Sequence, residues 1–152
     1  MDGNEQLRKD IESDFEKIYR SFRLELYKYI FGLMGEREGS LTVTEFFAVE
    51  VIALMGSPTV TEFAECLSIT SSHAAYKVRQ LVEKGYVNRI PTEDKRTFRL
   101  EVTEKFRKYY HENNAYGKYV MNILDKTLSD GELEETDRLF KKFVKHIEDT
   151  NG

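Results

Sequence analysis

Apolar side chains recur every three or four positions through Leu7, Ile11, Phe15, Ile18, Phe22, Leu26, Tyr29, Ile30 and Leu33. This is the repeat of a long helix, predicted to end near Gly35 to Gly39. From Tyr19 onward Leu24, Tyr27, Phe31 and Met34 widen the apolar surface, so the second half is expected to be covered nearly all round. Thr42-Val43-Thr44-Glu45 sets a hydroxyl and a carboxylate three residues apart, the spacing that satisfies free amides at a helix start. It opens a mostly core helix that stops at Gly56-Ser57-Pro58. Thr59-Val60-Thr61-Glu62 repeats the device for a short helix, Val60 to Cys66, and Leu67-Ser68-Ile69 turns the chain. Thr70 is an N-cap for the next helix, Ile69 and Ala74 have the spacing of a hydrophobic staple, and Gly85 supplies the left-handed residue that ends it.

Two strands are predicted next, Tyr86 to Ile90 and Thr97 to Val102, joined by the tip Thr92-Glu93-Asp94-Lys95-Arg96. Phe98, Leu100 and Val102 alternate with polar residues, the period of a half-buried strand. Thr103 begins a second long helix whose stripe Phe106, Tyr110, Gly117, Val120, Leu124 is widened by Tyr109, Tyr116, Tyr119 and Ile123. Such breadth suggests two contacts. Ser129-Asp130-Gly131-Glu132 opens a final helix presenting Leu133, Phe140, Phe143, Val144 and Ile147, and the tail from Asp149 is expected to fray. Helix, turn, helix, hairpin is the order of a winged helix-turn-helix. The predicted fold is mainly α with a small β-hairpin wing, one domain over residues 1–152, with extra helices before and after a lobe of about 42–104.

Charge changes the picture once it is divided by position. The chain carries a net −4, yet residues 70 to 108 hold ten basic side chains (Lys77, Arg79, Lys84, Arg89, Lys95, Arg96, Arg99, Lys105, Arg107, Lys108) and five acidic ones. That segment is therefore +5 and the remainder −9, a division that orients a polyanion rather than excluding it. The single cysteine excludes an intramolecular disulfide. The Met1-Asp2-Gly3-Asn4-Glu5 start lacks a secretory pattern, and no apolar run approaches the roughly 18 residues of a membrane span. The expected setting is the cytoplasm, away from the membrane.

On the helix after Thr70, Ala74, Val78 and Leu81 share the packing face and Ser71, Ser72, Ala75, Tyr76 and Arg79 the opposite one. Short side chains at the start let backbone approach base edges, and Arg79 can fork onto guanine or phosphate. His73 and Lys77 flank that face and reach toward phosphates. At the tip, Lys95 and Arg96 sit where a wing enters a minor groove, with Asp94 placed to accept from Arg96 and set its direction. These residues point to sequence-directed binding of double-stranded DNA.

Other chemistry has little support. His73, His111 and His146 fall in three helices without an i,i+4 pair, so no metal site is expected. Cys66 stands beside Glu65, whose charge disfavours a thiolate, and is expected to be incidental. There is no nucleophile and base pair and no phosphate loop, so neither enzymatic activity nor a cofactor is expected.

Val60 to Ile69, Leu81-Val82-Glu83-Lys84-Gly85-Tyr86-Val87, and Asp94-Lys95-Arg96 followed by Leu100-Glu101-Val102-Thr103-Glu104-Lys105 resemble the MarR family of bacterial regulators along almost the whole chain. The resemblance implies a homodimer held by dimerisation helices, about 4–35 and 104–148, with two recognition helices in successive major grooves of a near-palindromic site. It implies that Asp94 is the positioning acid of the wing and Arg96 its minor-groove arginine. It also implies a repressor whose DNA affinity falls on binding a small aromatic or amphipathic effector, for which Tyr27, Phe31, Phe47, Tyr109 and Tyr116 are the candidate pocket. Two departures stand out: Phe106 where relatives often carry Gly, expected to affect only the helix entry, and a lean recognition helix with Ala74 and Ala75. The competing readings are a winged-helix protein-interaction module without DNA binding and a metal- or thiol-responsive regulator.

Overall fold

Thr42, Thr59 and Thr70 each start a helix by accepting the amide of the residue three positions on, and these caps punctuate a computed structural model that describes residues 3–33, 40–111 and 115–151. The elements are α1 (Gly3–Leu33), α2 (Val43–Met55), α3 (Val60–Cys66), α4 (Ser71–Glu83), β1 (Val87–Pro91), β2 (Phe98–Val102), α5 (Glu104–His111), α6 (Ala115–Thr127) and α7 (Asp130–Asn151). The predicted end of the first helix at Gly35 to Gly39 lies outside the described residues. The long helix predicted from Thr103 is described as α5 and α6, with 112–114 likewise outside. The predicted frayed tail is instead helical to Asn151.

The chain divides into two compact units, Met1–Asn114 and Ala115–Gly152. In the first, Phe46, Phe63, Ile52, Val49, Val78, Leu81, Val87 and Leu100 are fully buried, joined by Ile30 from α1 and Phe106 from α5. Each such side chain contributes about 1.5–3 kcal/mol by leaving water. Phe106 does more than shape a helix entry, since its ring lies 5.7 Å from that of Phe46 inside this core. The second half of α1 is covered on one side only: Ile30 is buried, whereas Leu24 and Phe31 stay 55% and 60% exposed.

β1 and β2 pair antiparallel, with Val87 opposite Val102 and Pro91 opposite Phe98. Both strands begin one residue later than predicted. Leu100 is buried and Val102 partly so, but Phe98 is 41% exposed, because near the tip the hairpin rises clear of the helices beneath it. The chain between α2 and α3 adds a stub of third strand: Leu100 donates its amide to Pro58 O at 2.8 Å and Thr59 bridges Arg99.

The turn between α3 and α4 closes with two bonds, Ile69 N–H to Ala64 O and Ser68 N–H to Glu65 O, each 3.0 Å. This is the left-handed helix ending that usually takes glycine, here made by Ser68 at φ 53°. α4 ends the same way through Gly85 at φ 79°, with Tyr86 N–H on Leu81 O and Gly85 N–H on Val82 O. Between α2 and α4, Lys84 Nζ donates to Glu45 Oε2 at 2.7 Å and to Ser40 O at 3.2 Å.

In the second unit Val120, Ile123, Leu124 and Leu133 are half-buried, whereas Phe140, Phe143, Val144 and Ile147 of α7 are 51–59% exposed. The start of α7 departs from a full capping box: Glu132 accepts from both the amide and the hydroxyl of Ser129, each at 2.8 Å. The serine hydroxyl is thereby committed as a donor.

A Cβ at Gly85 would meet only the Lys105 side chain, at 3.8 and 3.9 Å, so Gly85→Ala strains the backbone rather than the packing. It is expected to destabilise by about 1–2 kcal/mol and lower the melting temperature by roughly 2–8 °C in a calorimetric scan. Burial pushes the Glu45 carboxyl up, but the Lys84 ammonium and the bonds from Thr42 outweigh it and leave the group below its ordinary value. A depressed folded-state pKa gives stability that is complete above the unfolded value and is lost as pH falls through the folded one. Glu45→Gln is therefore expected to lower stability by about 1–2 kcal/mol at pH 7, with the gap to wild type narrowing below pH 4.5 in urea titrations.

Candidate nucleic-acid interface

Because Ala74, Val78 and Leu81 are buried and Val82 packs partly buried beside them, the opposite face of α4 is turned outward. Ser71, Ser72, His73, Tyr76 and Arg79 are exposed, while Ala75 and Lys77 are half-buried. Ala74 belongs to the core, so only Ala75 thins the outer face. Gln80, absent from the sequence-derived set, donates its side-chain amide to Tyr76 Oη at 3.0 Å. With an oxygen that already accepts, Tyr76 presents its O–H outward as a donor. A glutamine one turn after a tyrosine carried that signal, since i,i+4 side chains meet on a helix. Lys77 borders a cleft of about 200 Å³ between α4 and the start of α2, shared with Thr42, Thr44 and Gln80.

At the hairpin tip Asp94 is a hub. One of its oxygens accepts from Thr92 Oγ1 at 2.7 Å, Arg96 N–H at 2.9 Å and Thr97 N–H at 3.3 Å. The Thr92 hydroxyl first, then the Arg96 amide, hold this carboxyl below its ordinary value, so it stays ionised. It sets the direction of Arg96 through the main chain, not through the guanidinium. The same bonds fix Lys95 at φ 56°, a left-handed conformation that bends the tip.

The ten basic residues from 70 to 108 divide by what they do. Lys84 pairs with Glu45, Arg99 donates to Ser57 O at 2.9 Å and stands 3.9 Å from Glu62, Lys105 donates to Lys84 O at 2.7 Å, and Arg107 lies 3.8 Å from Glu104. Among the described residues no hydrogen bond or ion pair engages the side chains of Lys77, Arg79, Arg89, Lys95, Arg96 or Lys108. Arg89, on the exposed part of β1, is a free cation that sequence reasoning did not single out. Its signal was its place in the stem of a hairpin already read as a wing.

Of the candidate effector residues, Tyr27 and Phe47 meet edge to face at 6.2 Å, and Phe47 in turn meets Phe46 at 6.0 Å. Phe31 is exposed. The side chains of Tyr109 and Tyr116 lie outside the described residues. Among the described residues no group of three His, Cys, Asp or Glu side chains is placed to hold a metal ion, and Cys66 is an exposed free thiol. No described helix is long and apolar enough to cross a membrane.

Comparison with known proteins bears on this arrangement. Residues 41–98 match the MarR family pattern. The uncharacterised HTH-type transcriptional regulator YpoP of Bacillus subtilis is 30% identical over 142 residues, covering 92% of this chain and 95% of that protein. Among solved structures, the transcriptional regulator Tm0710 of Thermotoga maritima superposes with a TM-score of 0.65 at 20% identity, over 94% of this chain and 96% of that one. Streptococcus pneumoniae FabT in complex with DNA superposes with a TM-score of 0.55 at 20% identity, over 91% and 98%. These likenesses in structure extend the winged-helix fold across nearly the whole length. The pattern over the helix-turn-helix and wing, together with a relative that matches from end to end, shows that the chain belongs to the MarR family of transcriptional regulators.

Proposed function

We propose that this regulator works as a homodimer, binds a near-palindromic duplex site by sequence, and represses transcription, releasing DNA when a small aromatic or amphipathic effector binds. The observation that carries the DNA reading is the set of unengaged cations on α4 and the hairpin (Lys77, Arg79, Arg89, Lys95 and Arg96) in a chain whose net charge is −4. Cations that hold a fold together find carboxylates or carbonyls. Cations left in water on one lobe are available to phosphates, and releasing counterions from those phosphates drives association. FabT, of similar fold, was solved in complex with DNA, which agrees with this use of the lobe.

The roles follow from placement. Ser71, Ser72, Ala75, Tyr76 and Arg79 face base edges in the major groove, with His73 and Lys77 toward the flanking phosphates. Arg96 enters the minor groove with Lys95 beside it, and Asp94 holds the tip that carries them. The dimer reading is supported by two apolar stripes that the described residues leave uncovered. Leu7, Ile11, Phe15 and Ile18 on α1 are 52–66% exposed, and Phe140, Phe143, Val144 and Ile147 on α7 are 51–59% exposed. Stripes of this size mark association surfaces. Two recognition helices would then read half-sites about 10 base pairs apart or slightly more. The edge-to-face pair of Tyr27 and Phe47, with Phe31 exposed on the same helix as Tyr27, is an aromatic wall suited to the proposed effector, with Tyr109 and Tyr116 as further candidates.

Binding is tested by fluorescence anisotropy with a duplex that the protein selects from a random-sequence pool. Arg96→Ala is expected to weaken binding to all sequences alike and to lower the salt slope by about 1 per wing, whereas Arg79→Ala costs about 1–3 kcal/mol and relaxes the sequence preference. Unchanged affinity and selectivity in both variants would refute the assignment. Affinity that ignores salt would favour a protein-interaction module. Light scattering is expected to give the mass of two chains, and Phe143→Asp together with Ile147→Asp is expected to give that of one. A monomeric wild type would remove the dimer.

A further inference from the structure

We infer that Arg99 is a positioning residue that locks the wing to the start of the helix-turn-helix so that Arg96 reaches the duplex, and that Arg99 itself does not bind DNA. This rests on the DNA-binding reading above and adds to it the element that aims the wing. A two-stranded hairpin alone is marginally stable and swings on its stem, and the part of this one beyond Leu100 is exposed on both strands. What ties it down is the short segment between α2 and α3. Arg99 Nη1 donates to Ser57 O at 2.9 Å, the next residue donates its amide to Pro58 O at 2.8 Å, and Ser57 Oγ donates to Glu101 Oε1 at 3.4 Å.

The same guanidinium stands 3.9 Å from Glu62 Oε2, the atom that also accepts the Thr59 amide at 2.7 Å to cap α3. Thus one carboxylate serves the first helix of the helix-turn-helix and faces the wing arginine, while Ser57, at φ 71°, is held in a left-handed turn that aims its carbonyl at Arg99. Three backbone positions and one side chain of the α2–α3 connection therefore meet β2, and the arginine is the long arm among them. Arg99 differs in this from Arg96, three residues earlier, whose side chain no described group engages. A cation already committed to a carbonyl and a carboxylate has less to offer a phosphate. Fixing the wing is the use its bonds describe.

The test is a double-mutant cycle in the full-length protein on the selected duplex, with affinity measured across a salt series. Arg96→Ala and Arg99→Ala are each expected to weaken binding roughly tenfold, and the double variant to be no weaker than the weaker single one within about twofold. Arg99→Gln, which keeps a side-chain donor, is expected to recover part of the loss. Hydrogen exchange of the free protein is expected to quicken at the Leu100 and Thr97 amides in Arg99→Ala and to stay unchanged at Ala74 and Val78. Losses that multiply in the double variant, with a further fall in salt slope of about 1 per arginine, would make Arg99 an independent phosphate contact and overturn the inference. So would wild-type affinity in Arg99→Ala, or exchange that quickens equally through α4. A wild-type protein with no affinity for any duplex would fail the DNA reading itself and the inference with it, an outcome told apart by its appearing before any substitution.

Discussion

The orientation of α4 depends on how its last carbonyls are satisfied. A helix ends with free C=O groups that must find donors, and here those of α4 and of the turn that follows it are met by that turn and by the entry to α5. Leu81 O takes the Tyr86 amide and Val82 O the Gly85 amide, Lys84 O takes Lys105 Nζ, and Gly85 O takes Thr103 Oγ1 at 2.7 Å. Lys105 also lies 4.4 Å above the Tyr86 ring, and Lys84 reaches back to Glu45 on α2. α2, α4, β1 and α5 thus share one junction. Once it is closed, Ala74, Val78 and Leu81 have a single way to face inward, and the exposure of Ser71, Ser72 and Arg79 is its consequence.

The cationic stretch from residue 70 to 108 answers two opposed demands. A positive surface destabilises itself, so some of its charges must be neutralised, yet a DNA-binding surface needs others left free. The sequence meets both by placement. Lys84, Arg99, Lys105 and Arg107 point along or beneath the lobe toward carboxylates and helix-end carbonyls, and Lys77, Arg79, Arg89, Lys95 and Arg96 project from the outer helix face and the hairpin. Three of the five acidic residues in the same segment are already engaged. Glu104 stands beside an inner cation, Asp94 is occupied by main-chain amides, and Glu101 bonds Ser57.

The helix starts were legible in the sequence because a cap is local: Thr42 with Glu45 and Thr59 with Glu62 are three residues apart and need no tertiary partner. The packing face of α4 was legible for the same reason, through its period. Three features were not. Ser68 adopts a left-handed turn that glycine would announce, and only the two bonds closing the end of α3 require it. Phe98 keeps the alternation of a half-buried strand but stands where nothing lies beneath, and period says nothing of how far a hairpin overhangs. Phe106 belongs to a helical stripe and stands where relatives often carry Gly, which pointed only to an effect on the helix entry, whereas its ring fills the core beside Phe46, a contact between residues sixty positions apart in the chain. Among the site residues, the outward set on α4 was readable from one helix, while the division of arginines into engaged and free needed the α2–α3 connection in space.

The acidic remainder is best understood together with the uncovered stripes. On α1, Glu5, Asp10, Glu12, Asp14 and Glu16 alternate with Leu7, Ile11 and Phe15, and Lys9 and Lys17 pair with Glu5 and Asp14 on the helix itself. Local pairs of this kind are worth only tenths of a kcal/mol each, too little to hold such a helix without burial of its apolar side. In the proposed dimer that side is covered and the carboxylates stay in water. The +5 of residues 70 to 108 attracts a duplex and the −9 of the remainder repels one, so the two together select the orientation of encounter.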